Sequence, residues 1–209
     1  MSDSGSGPAY RIHTERTVIR CWAPEDAPLL KAAIDANLDH LRPWMVWAHD
    51  EPEPLQKKID RLREFRGKFD LGQDFFYGIF NPLESEVLGA TGLHTRLGEN
   101  MREIGYWIHR DYTGRGLATE AASALVKVAF EIEDVLRVEI HCDPRNVRSA
   151  AIPKKLGFKN ERILRRHNPF RDGEMRDEMN WSLQAEQYPN SPACKAHVEA
   201  FDVIGRKLL

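Results

Sequence analysis

Between Pro54 and Phe69 the apolar residues Leu55, Ile59, Leu62, Phe65 and Phe69 return close to every 3.6 positions, with charged residues between them. That period predicts an amphipathic helix. Upstream, Val18, Arg20 and Trp22 alternate with Ile19 and Cys21, which predicts a strand over Thr17 to Trp22. Pro24 then opens a helix with Glu25 and Asp26 in its first turn, where acidic side chains complement the helix dipole. This helix continues through Leu29, Leu30, Ala33 and Ile34, and residues 37 to 50 follow as an aromatic-rich connection.

After Phe69 the period shortens. Phe75 to Phe80, Glu86 to His94 and Glu103 to His109 read as strands, the first two joined at Asn81-Pro82. A glycine-rich turn leads into a helix from Leu117 to about Glu131, with Leu117, Ala121, Ala124, Leu125, Val128 and Ile132 as its buried stripe. Val135 to Cys142 reads as a strand carrying Val138, Ile140 and Cys142 on one face. A helix over Arg148 to Leu156 stops at Gly157 and contains Pro153. Phe158 to Leu164 and Met175 to Leu183 predict two strands paired across Pro169 to Gly173. The expected order is βαα, three strands, α, β, α, ββ, with no internal repeat. Residues 1 to 9 are expected to be a disordered tip. Residues 185 to 209 form an extension in which Val198, Phe201, Ile204 and Leu208 suggest a short amphipathic helix, docked on its own domain or on a partner.

Composition adds constraints. The 209 residues are 42% hydrophobic and 30% charged, which fits a globular chain with a substantial core. Lys+Arg 30 against Asp+Glu 32 gives a net charge of -2, so nothing global draws the chain to nucleic acid or an anionic membrane. Cys21, Cys142 and Cys194 are few and scattered, with no C-x-x-C, which argues against a disulfide framework or a cysteine metal site. No apolar run reaches the ~20 residues that span a bilayer, and Met1 to Pro8 lacks a signal-peptide core, so the cytoplasm is the expected location.

Strand, glycine-rich turn and helix together form a phosphate-holding device. The first helical turn leaves N–H groups unpaired, the dipole adds positive potential, and glycines admit close approach. Gly114 and Gly116 shape the turn, and Arg110 and Arg115 add charge. A ligand-free tight turn is the alternative. Gly114-Arg115-Gly116 also begins a dinucleotide fingerprint, but its third glycine position is Thr119, and no G-x-x-x-x-G-K is present.

Further residues carry a resemblance. Glu103-Ile104-Gly105-Tyr106-Trp107-Ile108, the loop Gly114-Arg115-Gly116-Leu117-Ala118-Thr119-Glu120-Ala121, Asn146-Val147-Arg148-Ser149, and Lys155-Leu156-Gly157-Phe158 resemble the GNAT superfamily of N-acetyltransferases. Within it, His40-Leu41-Arg42-Pro43-Trp44 is similar to the ribosomal-protein N-terminal acetyltransferases of the RimJ/RimL type. The resemblance covers about residues 10 to 184. It implies an α/β (α+β) fold with a mixed, mostly antiparallel sheet flanked by helices, its fourth and fifth strands splayed. It implies acetyl-CoA as co-substrate, with pantetheine along Trp107, Ile108 and His109 and pyrophosphate on Gly114, Arg115, Gly116, Leu117, Ala118 and Thr119. Asn146 and Ser149 then stand near the thioester sulfur. Thr113 departs from the Gln/Arg usual at its position. The group suggests a monomer or a homodimer, and the sequence carries no metal-ligand cluster, so no metal is expected.

Acetyl transfer requires a deprotonated amine. An unperturbed α-amine titrates at about 7.7–8.0 and a lysine at about 10.4, so a general base is expected. Glu103 is the first candidate, with Glu51, Glu53 and His94 in reserve. Ser149 is the candidate proton donor to sulfur, or else a helix N-cap. A backbone N–H near Ile108 is a candidate to polarise the carbonyl. Cys142, in phase with Val138 and Ile140, is expected in the core rather than as an acetyl carrier. Trp44 and Trp47 are candidates for the acceptor pocket. The acceptor is expected to be a protein N-terminal α-amine; a small-molecule amine, or CoA sensing without turnover, are the alternatives.

Overall fold

The computed structural model describes residues 7–209. Its strands are β1 (Arg11–His13), β2 (Val18–Cys21), β3 (Phe75–Phe80), β4 (Val87–His94), β5 (Met101–Ile108), β6 (Arg137–Cys142), β7 (Lys159–Pro169), β8 (Met175–Gln184) and β9 (Glu199–Phe201). Its helices are α1 (Ala27–Asp35), α2 (Leu38–Leu41), α3 (Leu55–Asp70), α4 (Leu117–Glu131) and α5 (Val147–Lys155). The strands form one sheet in the order β7-β8-β6-β5-β4-β3-β2-β1-β9. Neighbours are antiparallel except β5 and β6, which run parallel. This is the mixed, mostly antiparallel architecture that the resemblance implies.

Pleat alternation divides the core between the sheet's two faces. Ile104 and Ile108 of β5 and Val138 and Ile140 of β6 lie with Ala121, Leu125 and Val128 of α4 in one cluster. On the other face Trp22, Phe80 and Val87 pack with Leu30 and Ile34 of α1 and Leu62 of α3. Burying a side chain of this size contributes about 1.5–3 kcal/mol, so the two stripes account for the placement of the helices.

Three expectations need correction. The extension beyond residue 185 is not a helix. It makes two 3-10 turns, at Tyr188–Asn190 and Pro192–Lys195, and then strand β9, which pairs antiparallel with β1. Gly205 lies at φ 81, and Asp202 accepts the N–H groups of Ile204 and Arg206, so a tight turn replaces the helical period. The backbone of β1 recruits the chain end because its other side would be an open edge. Second, the disordered tip does not extend to residue 9: Ala9 is fully buried and its carbonyl accepts from Tyr77 Oη at 2.9 Å. Residues 1–6 of that expectation lie outside the described residues. Third, the connection over 37–50 contains α2 and a 3-10 turn at Val46–His49.

Two features position the site. β5 and β6 pair over only Met101↔Arg137, Arg102↔Val138 and Glu103↔Glu139. Beyond this, β5 stays with β4 as far as Ile108 and β6 stays with β8 as far as Cys142, so a wedge opens inside the sheet. At the start of α3, fully buried Lys58 is ion-paired with Glu51 and, at 3.0 Å, with Glu53. Arg61 joins Glu53 at 2.8 Å. Burial pushes the Glu53 carboxyl up, but Lys58 and Arg61 outweigh it and hold it below the usual range. Both reserve carboxylates are thus consumed by structure. Lys58→Met should leave buried Glu51 with only the longer contact to Arg61, at 3.4 Å, and lower stability by about 3–5 kcal/mol. Urea unfolding reads this directly; an unchanged midpoint would show that the pair is dispensable.

Candidate active site

The loop between β5 and α4 is held from three sides. Buried Asn37, at the end of α1, accepts the Arg110 N–H at 2.7 Å and donates to the Ala33 carbonyl at 2.6 Å. Thr113 Oγ1 donates to the Arg110 carbonyl at 2.8 Å. Arg16, in the β1–β2 turn, reaches Glu120 at 2.7 Å through Nε and the Arg115 carbonyl at 2.8 Å through Nη1. Gly114 and Gly116 take φ 76 and 82, the left-handed region where glycine has no Cβ penalty. The first helical bond runs from Glu120 N to the Gly116 carbonyl. The N–H groups of Leu117, Ala118 and Thr119 therefore have no acceptor within α4. Three free donors, a helix N-terminus and the neighbouring Arg115 make a cradle that fits a pyrophosphate. Arg16 is beyond sequence reasoning, since it stands about a hundred positions from the loop it clasps and belongs to no motif.

The wedge supplies a second ligand surface. His109 N donates to the Leu88 carbonyl, within the antiparallel register of Gly89↔Ile108. Alternation along that ladder turns the backbone groups of Trp107 and His109 toward β4 and those of Tyr106 and Ile108 toward the wedge. Of the three residues expected to contact pantetheine, only Ile108 therefore offers backbone hydrogen bonds there; those of Trp107 and His109 are directed at β4.

One cavity runs through the wedge, and residues from both faces of the sheet line it. On the α4–α5 side, Asn146 caps α5 by accepting the Ser149 N–H at 3.1 Å. Asn146, not Ser149, is thus the cap, which leaves the Ser149 hydroxyl free. Tyr106 Oη lies 3.3 Å from Ser149 Oγ and 3.2 Å from the Ser149 carbonyl. Burial pushes the Tyr106 phenol well above its ordinary value against the opposing hydrogen bond from Ser149, so it stays protonated. Tyr106 escaped the sequence reading as a site residue, although it sits inside the quoted strand motif. Cys142 is half-buried and lines the cavity rather than the core, because it ends β6 where β5 has parted from it. Burial pushes its thiol up to about 11, so it is no ready nucleophile.

On the opposite face the same cavity of about 780 Å³ continues. Trp44 and Trp47 line it, as expected, with Trp22, Phe76 and Trp107. Trp47 and Trp107 stand 6.4 Å apart between ring centroids. The β7–β8 hairpin roofs the cavity: Arg176 donates to the Pro43 carbonyl at 2.6 Å and lies over the Phe170 ring, and Arg171 meets His49 at 3.0 Å. Glu103 does reach the cavity, but both its oxygens are taken by Arg96, one through Nε at 2.6 Å. His141 Nε2 bonds Glu139 at 2.5 Å, and its Nδ1 is 3.6 Å from Glu178. Burial disfavours its charge, but Glu139, Glu103 and Glu178 prevail and raise its pKa. His94, directly opposite Glu103 in the ladder, bonds Asp74. Among the described residues no group of three His, Cys, Asp or Glu side chains is arranged to hold a metal ion.

Comparison with known proteins agrees with this geometry. The family model described as acetyltransferase (GNAT) domain matches residues 16–159. The [ribosomal protein uS5]-alanine N-acetyltransferase of Escherichia coli is 27% identical over 181 residues, covering 84% of this chain and 91% of that protein. Mycobacterium smegmatis RimJ, solved in complex with CoA-disulfide, superposes with a TM-score of 0.76 at 24% identity, over 90% of this chain and 94% of that one. The microcin C7 self-immunity acetyltransferase, solved with acetyl-CoA and AMP, gives 0.75 at 18% identity over 82% and 93%.

Gly116→Glu should place a carboxylate in the cradle and abolish acetyl-CoA binding in calorimetry. Its left-handed backbone costs about 1–2 kcal/mol with any side chain, so Gly116→Ala, which carries that cost without the charge, is the control. Equal affinity of the glutamate variant and the parent would place the pyrophosphate elsewhere.

Proposed function

The chain belongs to the GNAT acetyltransferase family, and from that premise we propose that it carries acetyl from acetyl-CoA to the α-amine of a protein N-terminus. The observation that carries this reading is the two-faced wedge. Ser149 and Tyr106 line the cavity at its α5 end, beside Cys142 at the end of β6, and its aromatic side chains and carboxylates line it on the other face of the sheet. A thioester drawn through the wedge meets hydroxyl donors at its sulfur and an amine at its carbonyl carbon.

Pre-organised backbone supports the binding half. The N–H of Ile108 faces the wedge and is placed to hold either the pantetheine amide or the thioester oxygen, where a fixed donor is most effective. Glu103, clamped by Arg96, brings negative charge to the acceptor side without mobility of its own. A cationic N-terminus is drawn toward Glu103 and Glu178, with its following residues along Trp44 and Trp47 under the hairpin roof. An α-amine is the acceptor best matched to a site at neutral pH, since its ordinary pKa of about 7.7–8.0 leaves little proton to remove compared with lysine. The E. coli relative is named for an alanine N-terminus of a ribosomal protein. The same substrate class is proposed for this chain, and with it work in the cytoplasm. No helix among the described residues is long and apolar enough to cross a membrane.

Transfer is proposed to be direct, with Ser149 passing a proton to the leaving sulfur. Peptides with free and blocked N-termini, each carrying an internal lysine, test the acceptor by mass spectrometry and CoA release. The free peptide should gain one acetyl group at its α-amine; label on lysine alone would overturn the reading. In the same assay Ser149→Ala should slow turnover by less than ~10²-fold, since water can replace a hydroxyl. Cys142→Ala should keep most of the rate, and an acetyl adduct trapped on Cys142 would exclude direct transfer.

A further inference from the structure

An attacking amine arrives mainly as ammonium and has to lose a proton inside the cavity. The polar groups there differ in how free they are to take it. Glu103 has both oxygens on Arg96. His141 is bonded to Glu139 and to Asn180, and three carboxylates favour its charged form. His94 is different. Its Nδ1 lies 2.9 Å from Asp74 Oδ1. A carboxylate only accepts, so Nδ1 carries the proton and Nε2 presents a lone pair. Nε2 has no hydrogen-bond partner among the described residues, and the side chain is 12% exposed.

The sequence has made room for this ring. His94 folds back over β4, and a Cβ on Gly92 would overlap its Nε2 and Cε1. A Cβ on Gly105, across the ladder, would stand 3.6 Å from Nε2. Phe76 holds the ring from the side, edge-on at 5.1 Å. Asp74 is itself fixed by the Phe75 N–H at 3.0 Å. Base, orienting carboxylate and a bare floor beneath the lone pair form the arrangement by which a positioned imidazole is made effective.

We propose that His94 is the catalytic base of this enzyme and Asp74 the positioning residue that sets its tautomer; this rests on the acceptor reading above. The N–H bond of the ammonium breaks, its proton goes to His94 Nε2, and the electron pair remains on nitrogen. Nitrogen attacks the thioester carbonyl carbon and the C–S bond breaks. Sulfur takes the Ser149 hydroxyl proton, the second N–H bond breaks and its proton passes through cavity solvent to the Ser149 oxygen, and His94 returns the first proton to bulk solvent. The charged groups around the ring are Asp74 at the head of β3, Lys68 and Arg61 on α3, Arg96 and Glu103 on the β4–β5 side, and His141 and Glu178 across the wedge.

The full chain with a peptide acceptor tests this through kcat against pH at saturating acetyl-CoA. The parent rate should rise with pH as the imidazole deprotonates. His94→Gln should lower kcat by ~10²–10⁴-fold and leave the rate following the neutral fraction of the amine, with acetyl-CoA affinity and thermal midpoint kept. In His94→Ala, added imidazole should restore part of the rate. Asp74→Ala should lower kcat and free the ring to exchange between its two neutral tautomers, because the acceptor that holds the Nδ1 proton is gone. Nitrogen-15 chemical shifts of the His94 ring should show the same loss of a fixed Nδ1–H tautomer without any substrate. A His94→Gln rate and profile matching the parent would overturn the proposal, as would an Asp74→Ala ring that keeps the parent's tautomer, or loss of the limb in Glu103→Gln alone. If the chain acetylates small amines but no peptide, the acceptor reading fails; the His94 limb on those amines, and the ring tautomer, still decide the base.

Discussion

Parallel pairing between β5 and β6 lasts for three residues and then ends, and the rest of the site depends on that break. Had the two strands stayed together, the backbone groups of Tyr106 and Ile108 would have been satisfied within the sheet and the two faces sealed from each other. The break is stable because each strand keeps its other neighbour: β4 holds β5, and β8 holds β6. It is also sheltered. α4 and α5 close one side, and the β7–β8 hairpin, tied by Arg176 to Pro43, closes the other. The unpaired groups are thus exposed only where a ligand enters, which is how a buried donor escapes the usual cost of being unmatched.

The same break explains the division of labour. Odd-numbered residues of β5, Glu103, Gly105 and Trp107, face the acceptor cavity, and the even-numbered Ile104, Tyr106 and Ile108 face α4. The phosphate cradle continues directly from the last of these. Asn37 links it to the end of α1, a helix whose Leu30 and Ile34 line the cavity, so the two binding regions share one rigid support.

Local periodicity made most of the fold legible. α3, α4 and strands β3, β4 and β8 follow from stripes that the chain carries in its own neighbourhood, and the glycine loop declares itself by Gly114 and Gly116. The misses share one cause: they depend on distant partners. β9 is a strand only because β1 lies beside it, and its spacing of apolar residues imitates a helix. Arg16 matters only because the β1–β2 turn folds onto the loop. Glu103 was legible as a cavity residue, but its engagement with Arg96 was not, and no pattern in the sequence announces that Asp74 and His94, twenty positions apart, meet at 2.9 Å. Cys142 was read correctly for phase and wrongly for depth, since the loss of its neighbour strand is a property of the sheet.

A sheet of nine strands has two outer edges, and both are blunted. β9 is three residues long and ends at a turn. β7 is long, but its pairing with β8 shifts register twice, and it carries Lys159, Arg162, Arg165 and Arg166. Neither offers a straight, uncharged row of backbone groups to a neighbouring chain, so stacking of one molecule on another is disfavoured. The internal edge of β5 from Tyr106 to Ile108 carries no charged side chain, and what guards it is its shelter between the helices and the hairpin and the narrowness of the wedge. A whole β-strand brings a second row of side chains that the narrow end of the wedge, still zipped at Glu103↔Glu139, has no space to accept. A single slender amide chain, without that second row, does not. The fold therefore keeps one adhesive edge without the aggregation that such an edge usually invites.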